Sequence, residues 1–351
     1  MFIDNSATEG PVPESGKIDI IRGIWHEEFC ATCSSDLKCW DTILDFYSAE
    51  CKKAISYSRG ECTTVRTHRD VIAIADMLRK GHPKQEITNA LLALDTQGRS
   101  EEAKSRMVEG SLRLVARLVS MVDVGQLPHS VQGWAPITWS DADLKLQTVL
   151  EEFFHGNTSA ATGIKFSEGF TARNLQRFAG LRIRWTNNLA NHLRLMDDDT
   201  TLCIFHHVCF LKHQTGNSVL PQGLADETLR TIALLFPCND RSTRHWLQDE
   251  RASPKALANI DMGILDCDRI ICEQRLAEKF EFWREELITL KELFDQPRPS
   301  SLAQFWYDRR NKAQWYTFWI AVLILCLTIF FGMVQSIEGA LQVYKAYHPT
   351  E

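Results

Sequence analysis

The chain is 351 residues long, which is enough for one large or two modest domains together with a membrane segment. Its formal net charge of −6 argues against a general affinity for nucleic acid, so we expect no nucleic-acid partner. With 44% hydrophobic and 24% charged residues, the chain can bury an ordinary hydrophobic core.

Residues 1–16 are polar and contain proline and glycine, and we expect a disordered N-terminus. The pattern over 17–155 is helical. Apolar residues recur at helical spacing within Val65–Arg79 and within Ile87–Leu94, and a Gly-His-Pro sequence separates the two stretches. Ser100, which two glutamates follow, predicts the start of a third helix. We therefore predict a helical domain over this part of the chain.

The chain contains 11 cysteines, and four residues near its start could bind zinc. Cys30 and Cys33 form a CxxC motif, with His26 upstream and Cys39 downstream. A structural zinc site usually takes its ligands from two paired motifs, and no second CxxC matches this one. We favour free, buried thiols and keep zinc at these four residues as the alternative. We expect no cofactor and assign no catalytic residue.

The segment 156–163 is small and polar, and we place a domain boundary there. Between 163 and 260, short apolar runs alternate with short helical stretches, which predicts a small mixed α/β subdomain. A winged-helix-like arrangement is one interpretation of it. If His206 and His207 lay on a strand, their side chains would point to opposite faces and could not easily share a metal ion. The acidic run 197–199 is interpreted as a solvated turn.

A long amphipathic helix is predicted over 264–296. Its apolar positions are spaced 4, 3, 4, 3 and 4 residues apart: Leu276, Phe280, Trp283, Leu287, Leu290 and Phe294. This is heptad spacing. It is shorter than three full heptads, so a helix packed on its own domain is favoured over a coiled coil. A juxtamembrane basic segment over 300–312 follows, which contains Arg309, Arg310 and Lys312.

The segment Ala313–Ile337 is an uninterrupted run of 25 uncharged residues. About 20 apolar residues in helical form cross the hydrocarbon core of a bilayer, so we predict a transmembrane helix over 315–335. Trp315, Tyr316 and Trp319 cluster at one end, where amphipathic rings favour the headgroup layer. Residues 336–351 form a short tail.

The charges that flank the span predict its orientation. The basic segment precedes it, and the positive-inside bias places that side in the cytosol. The first 30 residues show no basic leader followed by an apolar run, so no secretory signal is expected. The expectation is a tail-anchored protein with a cytosolic N-terminus, in the endoplasmic reticulum or another intracellular membrane. Cytosolic thiols would stay reduced.

Gly332, Ser336 and Ala340 recur every fourth residue near the end of the span. Small residues at this spacing let two membrane helices approach closely. Self-association, or contact with a protein partner in the bilayer, is therefore one interpretation. Chance occurrence of three small residues is the other.

Three blocks carry a resemblance to other proteins: Phe170–Asp199, Asp226–Pro237 and Phe305–Tyr347. They resemble a set of uncharacterised filamentous-fungal proteins. The last block is the most distinctive and contains WYDRRN, QWYTFW, FFG and QSIEGALQVYKAY. The resemblance implies a fungal single-pass membrane protein and brings no activity or catalytic residue with it.

The fold class we predict is mainly α, with a small mixed α/β part and one C-terminal transmembrane helix. The favoured function is a non-enzymatic interaction or scaffold protein, whose partners are the bilayer and other proteins. An ion-transport subunit is the first alternative, because a long helix leading into a span with Gly332-Met333 is similar to the CorA-like magnesium channels. Here Val334 stands where those channels have asparagine, and no second span follows. A membrane-tethered enzyme is the second alternative.

Overall fold

The computed structural model describes residues 14–25, 37–56, 63–94, 100–125, 137–155, 163–214, 218–252, 260–295 and 312–347. Within these ranges the chain is mostly helical, with one three-stranded sheet and one apolar helix at the C-terminal end. This confirms the mainly α fold class. Residues 1–13 and 300–311, which hold most of the predicted disordered segment and basic segment, lie outside the described ranges.

Six helices are described in the first part of the protein. They are α1 (Glu14–Ile24), α2 (Leu37–Ser56), α3 (His68–Arg79), α4 (Lys84–Leu94), α5 (Glu101–Ser120) and α6 (Leu146–Phe153). The chain is already helical at Glu14, inside the segment predicted to be disordered. Helix α5 is the centre of the group, since α2, α3 and α4 all pack against it.

Local capping explains where two of these helices begin. The side chain of Thr67 accepts a hydrogen bond from the Asp70 amide, and the Asp70 carboxylate accepts one from the Thr67 amide, which forms a capping box before α3. The Ser100 hydroxyl accepts a hydrogen bond from the Ala103 amide before α5. The predicted start of a helix at Ser100 is therefore confirmed.

The second part contains a sheet of three strands: β1 (Arg182–Thr186), β2 (Leu195–Met196) and β3 (Thr201–Phe205). The buried strand β3 lies in the middle, parallel to β1 and antiparallel to β2. Asp197, Asp198 and Asp199 join β2 to β3, and all three have φ between 53° and 59°. Aspartate tolerates this left-handed conformation better than most residues. The parallel pairing of β1 and β3 gives no confirmation of a winged-helix-like arrangement.

The remaining helices of the described ranges, the last of which is the apolar helix, are α7 (Ala172–Phe178), α8 (Val208–Lys212), α9 (Leu224–Leu235), α10 (Arg241–Ala252), α11 (Arg284–Asp295) and α12 (Lys312–Tyr347). One hydrophobic core includes side chains from both predicted segments, 17–155 and 163–260. The Leu189 amide, for example, donates a hydrogen bond of 2.8 Å to the Met121 carbonyl. The two segments therefore pack as one body.

The prediction of one long helix over 264–296 is wrong. Three short 3₁₀ turns cover most of the stretch from Met262 to Lys279, and the α-helix begins only at Arg284. Several of the heptad-spaced residues are buried. The apolar pattern therefore predicted correctly which residues are buried, but it predicted a helix that is too long. A regular helix here would bond each amide to a carbonyl four residues earlier.

A buried carboxylate accepts hydrogen bonds from three of those amides instead. Glu227, in the first turn of α9, is 2% exposed. One of its oxygens accepts hydrogen bonds of 2.8 Å from the Phe282 and Trp283 amides, and the other accepts one of 2.7 Å from the Glu281 amide. The carboxylate thus binds the N-terminus of α11, where a negative charge is favourable. This contact across 54 residues stops the helix from extending towards residue 264.

Replacing Glu227 should therefore destabilise the body strongly. Glu227→Ala leaves three amides without their acceptor, and we expect a loss of about 3–5 kcal/mol in the free energy of unfolding. Glu227→Gln keeps one oxygen acceptor and should lose about 1–2 kcal/mol. The measurement is urea unfolding of the full chain in detergent micelles, followed by tryptophan fluorescence. Asp226→Ala, on the exposed side of the same turn, is the control and should lose less than about 1 kcal/mol. Equal effects at 226 and 227 would contradict the assigned role.

Candidate functional site

Helix α12 is the most distinctive surface of the protein. It is 36 residues long, which corresponds to about 54 Å at 1.5 Å per residue. Within its segment Tyr316–Tyr344, the most apolar window of 18 residues has a mean hydropathy of 2.5, and none of that window is buried. An apolar helix in the core of a soluble protein would be mostly buried. The chain therefore has one C-terminal helix that is long and apolar enough to span a membrane.

The residues predicted to mark the membrane boundary are only partly described. Tyr316 is exposed at the start of the apolar stretch, and Trp319, one helical turn later, contacts the ring of Phe318 at 5.8 Å. Lys312 and Trp315 lie in the first turn of α12, and their side chains are outside the described part. Arg309 and Arg310 are also outside it.

The small residues of α12 leave open space on one face of the helix. A Cβ atom added at Gly332 would meet nothing within 4 Å. The Ser336 hydroxyl donates a hydrogen bond of 2.8 Å to the Gly332 carbonyl, so its polarity is satisfied within the helix. Ala340 is exposed one turn further on. The three residues therefore form a smooth strip that presents no unpaired side-chain donor.

The predicted zinc residues are not brought together by anything the structure describes. His26, Cys30 and Cys33 lie outside the described ranges, and Cys39 lies in the first turn of α2 with its side chain undescribed. Among the residues that are described, no group of three Cys, His, Asp or Glu side chains could hold a metal ion. Zinc at the four N-terminal residues stays a hypothesis.

His206 and His207 correct the expectation that they point to opposite faces. They follow the end of β3, so the alternation of a strand does not apply to them. Their rings lie 4.1 Å apart, and both Nε2 atoms reach the side-chain oxygen of Asn187, at 2.9 and 2.8 Å. No sequence pattern indicates this convergence, because Asn187 lies 19 and 20 residues away.

Both rings are neutral in the folded protein. They are 1% and 0% exposed, and burial lowers the pKa of His206 to about 3. Burial, together with the neighbouring His206, lowers the pKa of His207 well below its usual value. The Asp261 amide donates to Nδ1 of His206 at 3.5 Å, whereas Nδ1 of His207 finds no partner within the described ranges.

A third buried histidine links the sheet to α9. Nδ1 of His192 accepts a hydrogen bond of 3.2 Å from the Phe205 amide in β3, so its Nε2 carries the proton and donates to the Thr231 hydroxyl at 2.6 Å. The ring also contacts Trp283 edge to face at 4.9 Å. Burial lowers the pKa of His192 to about 3. All of its polar atoms are used in holding the fold.

A groove of about 260 Å³ lies between the start of α7, the end of α9 and the turn before α11. Its apolar wall includes Ala233 and Ile270, and its polar wall includes Arg275, which is 9% exposed. Nη1 of Arg275 donates a hydrogen bond of 2.9 Å to the Ser167 carbonyl. Asp240 is a further polar residue of its lining. No motif in the sequence predicts this groove.

The three buried histidines predict a loss of stability in weak acid. Each is neutral when folded and has a pKa near 6.5 when unfolded, so their stabilisation is fully present above pH 6.5. As the pH falls from 6.5 towards 3, the unfolded chain takes up protons that the folded chain does not. For His192 this costs about 2 kcal/mol at pH 5, and His206 and His207 act in the same direction.

The measurement is urea unfolding of the full chain at pH 7 and at pH 5. His192→Gln should reduce the difference between the two pH values by about 2 kcal/mol. His245→Gln, at an exposed position of α10, should leave that difference unchanged. If His192→Gln and the native chain lose the same stability between pH 7 and pH 5, the neutral state of His192 is wrong.

The apolar helix, the buried histidines and the groove make up the candidate functional features of the described chain. Comparison of the sequence and the fold with protein-family models, with curated proteins and with solved structures finds no match in any of the three. What each feature does is therefore inferred from its own geometry.

Proposed function

We propose that the protein is a membrane-anchored, non-enzymatic interaction or scaffold protein. The observation that carries the proposal is α12, whose Tyr316–Tyr344 segment is apolar and has its most apolar window entirely unburied beside a body that has its own core. A helix of this length and hydropathy is stable in a bilayer and unfavourable in water. The bilayer is thus the first partner.

The orientation is proposed from charge. Arg309, Arg310 and Lys312 precede the span and favour the cytosolic side, which places the folded body in the cytosol. Helix α12 contains Glu338 and Lys345 beyond its uncharged run, so the far side shows no net basic bias. The endoplasmic reticulum or another intracellular membrane is the proposed location. The resemblance of the 305–347 block to fungal single-pass proteins supports the same topology.

Protein contact through α12 is the second part of the proposal. The strip formed by Gly332, Ser336 and Ala340 is open and has no protruding side chain, as described above. In lipid, van der Waals packing of close helices drives association, and small residues permit that approach. The occupant of the strip is a second copy of this helix or the membrane helix of a partner.

No specific observation favours the two alternatives, an ion-transport subunit and a membrane-tethered enzyme. The transport alternative depended on a long helix leading into the span, and α11 has only 12 residues. The enzyme alternative would need a bound nucleotide or metal in the purified protein. The winged-helix-like interpretation of the mixed segment stays a hypothesis about fold and carries no function here.

The membrane proposal is tested by charge placed at the centre of the span. Leu325→Asp together with Ile329→Asp should make insertion unfavourable, since each aspartate costs about 3 kcal/mol at the centre of a membrane helix. We expect the native chain to stay in the membrane pellet after alkaline carbonate extraction and the double variant to move to the supernatant. Leu341→Asp, beyond Glu338 on the same helix, is the control and should stay in the pellet. A double variant that resists extraction as the native chain does would refute membrane spanning by α12.

The interaction proposal is tested by affinity purification from native membranes with α12 intact, after crosslinking. We expect a crosslinked partner or a second copy, and Gly332→Leu should reduce its yield several-fold because the new side chain blocks close approach. Val334→Leu lies about 200° around the helix and should leave the yield unchanged. Unchanged yield with Gly332→Leu would remove the strip from the proposal. Absence of any reproducible partner would remove the scaffold function itself.

A further inference from the structure

The groove beside α9 contains a buried arginine, Arg275, for which the described residues supply no carboxylate partner. Arg275 is 9% exposed, and its guanidinium makes one hydrogen bond, from Nη1 to the Ser167 carbonyl. In the described part of the chain, no Asp or Glu oxygen lies within ion-pair distance of it. A guanidinium carries five N–H donors. The remaining donors are therefore available on the side of the groove that Arg275 lines.

Arg117, a largely buried arginine elsewhere in the fold, has two carboxylate partners. Nε of Arg117 lies 2.9 Å from a Glu50 oxygen, and Asp123 is a further ion-pair partner. Burying a cation without an opposite charge is costly. No carboxylate of the described residues offsets that cost for Arg275, so an anionic ligand would do so.

The position of Arg275 is fixed by its backbone. Its carbonyl accepts a hydrogen bond of 2.8 Å from the Phe166 amide, and Ala277 donates one of 2.9 Å to the Ile164 carbonyl. These two bonds pair the stretch around Arg275 with the one around Lys165 in antiparallel fashion. These bonds fix the main chain at Arg275, and the bond from Nη1 to the Ser167 carbonyl holds the guanidinium itself, which lowers the entropic cost of binding.

The Asp240 carboxylate, which also lines the groove, already accepts hydrogen bonds from within the protein. The Asp240 side chain accepts hydrogen bonds of 2.6 Å from the hydroxyls of Ser242 and Thr243, at the start of α10. Partial burial alone would raise the pKa of Asp240, but these hydrogen bonds outweigh it and lower the pKa below its usual value. Asp240 therefore stays ionised and occupied as a helix cap, and it does not neutralise Arg275.

We propose that this groove binds a small anionic metabolite whose carboxylate or phosphate group is held by Arg275. Two oxygens of such a group match the parallel N–H donors of a guanidinium. The volume of about 260 Å³ is slightly below the range of drug-sized pockets, so the ligand is small. The lining also contains two carboxylates, Glu168 and Asp240, which would repel the additional charges of a polyanion such as a nucleoside triphosphate. Ala233 and Ile270 face the apolar part of the ligand.

The test uses the full chain in detergent micelles with inorganic phosphate and with acetate as probes. Each is titrated to 50 mM against sodium chloride of equal ionic strength, and the thermal unfolding midpoint is measured. We expect a saturable rise with at least one probe and none with chloride, and the better probe identifies phosphate or carboxylate as the preferred group. No rise with either probe would overturn the proposal.

Two variants place the effect in the groove. Arg275→Gln removes the charge and should weaken the apparent affinity at least tenfold. Ala233→Leu fills the apolar wall without changing any charge, so it keeps the test decisive if Arg275→Gln does not fold. Arg244→Gln, at an exposed position of α10 outside the groove, is the control and should change affinity less than twofold. Unchanged affinity in the folded Arg275 or Ala233 variant would overturn the proposal.

Discussion

One helical turn of α9 determines how the second half of the protein is assembled. Glu227 binds three amides that precede α11, and its neighbour Thr228 accepts a hydrogen bond of 2.9 Å from the indole of Trp283. Thr231, one turn later, receives the bond from His192, whose other nitrogen is fixed by β3. The sheet and α11 are therefore both positioned by hydrogen bonds to α9. Because all of these polar groups are buried, each must keep its partner for the fold to be stable.

Local signals predicted local structure well. Ser100 caps α5 as its position before two glutamates indicates, and the run 197–199 forms a turn as its composition indicates. The heptad spacing was misleading at Leu276 and Phe280, which lie at the ends of 3₁₀ turns before α11. Its last three positions do lie on α11 and are buried there. The amides that would have continued that helix are taken by Glu227, which is more than 50 residues away in sequence. A contact at that distance leaves no pattern in a single sequence.

The candidate sites show the same difference between features carried by local sequence, which could be predicted, and features that depend on distant contacts, which could not. Helix α12 was predictable because its property is carried by continuous composition, which needs no tertiary contact to be recognised. The convergence of His206 and His207 on Asn187 depends on where β3 ends, and strand alternation gave the wrong geometry for them. The groove needs α7, α9 and the turn at Arg275 in place together. A role for Arg275 could be inferred only from the structure, in which no carboxylate of the described residues pairs with it.

If α12 spans a bilayer, as we propose, its length has a consequence for that membrane. The uncharged run Ala313–Ile337 is about 37 Å long as a helix, whereas a typical hydrocarbon core is about 30 Å thick. Each ångström of this hydrophobic mismatch costs a fraction of a kcal/mol, and the helix relieves it by tilting or by thickening the lipid around it. The thickness of the bilayer would thus influence which membrane is favourable for the protein. A thinner bilayer would require a larger tilt of the helix from the bilayer normal. Any partner helix that packs on Gly332 must cross the bilayer at an angle compatible with that tilt.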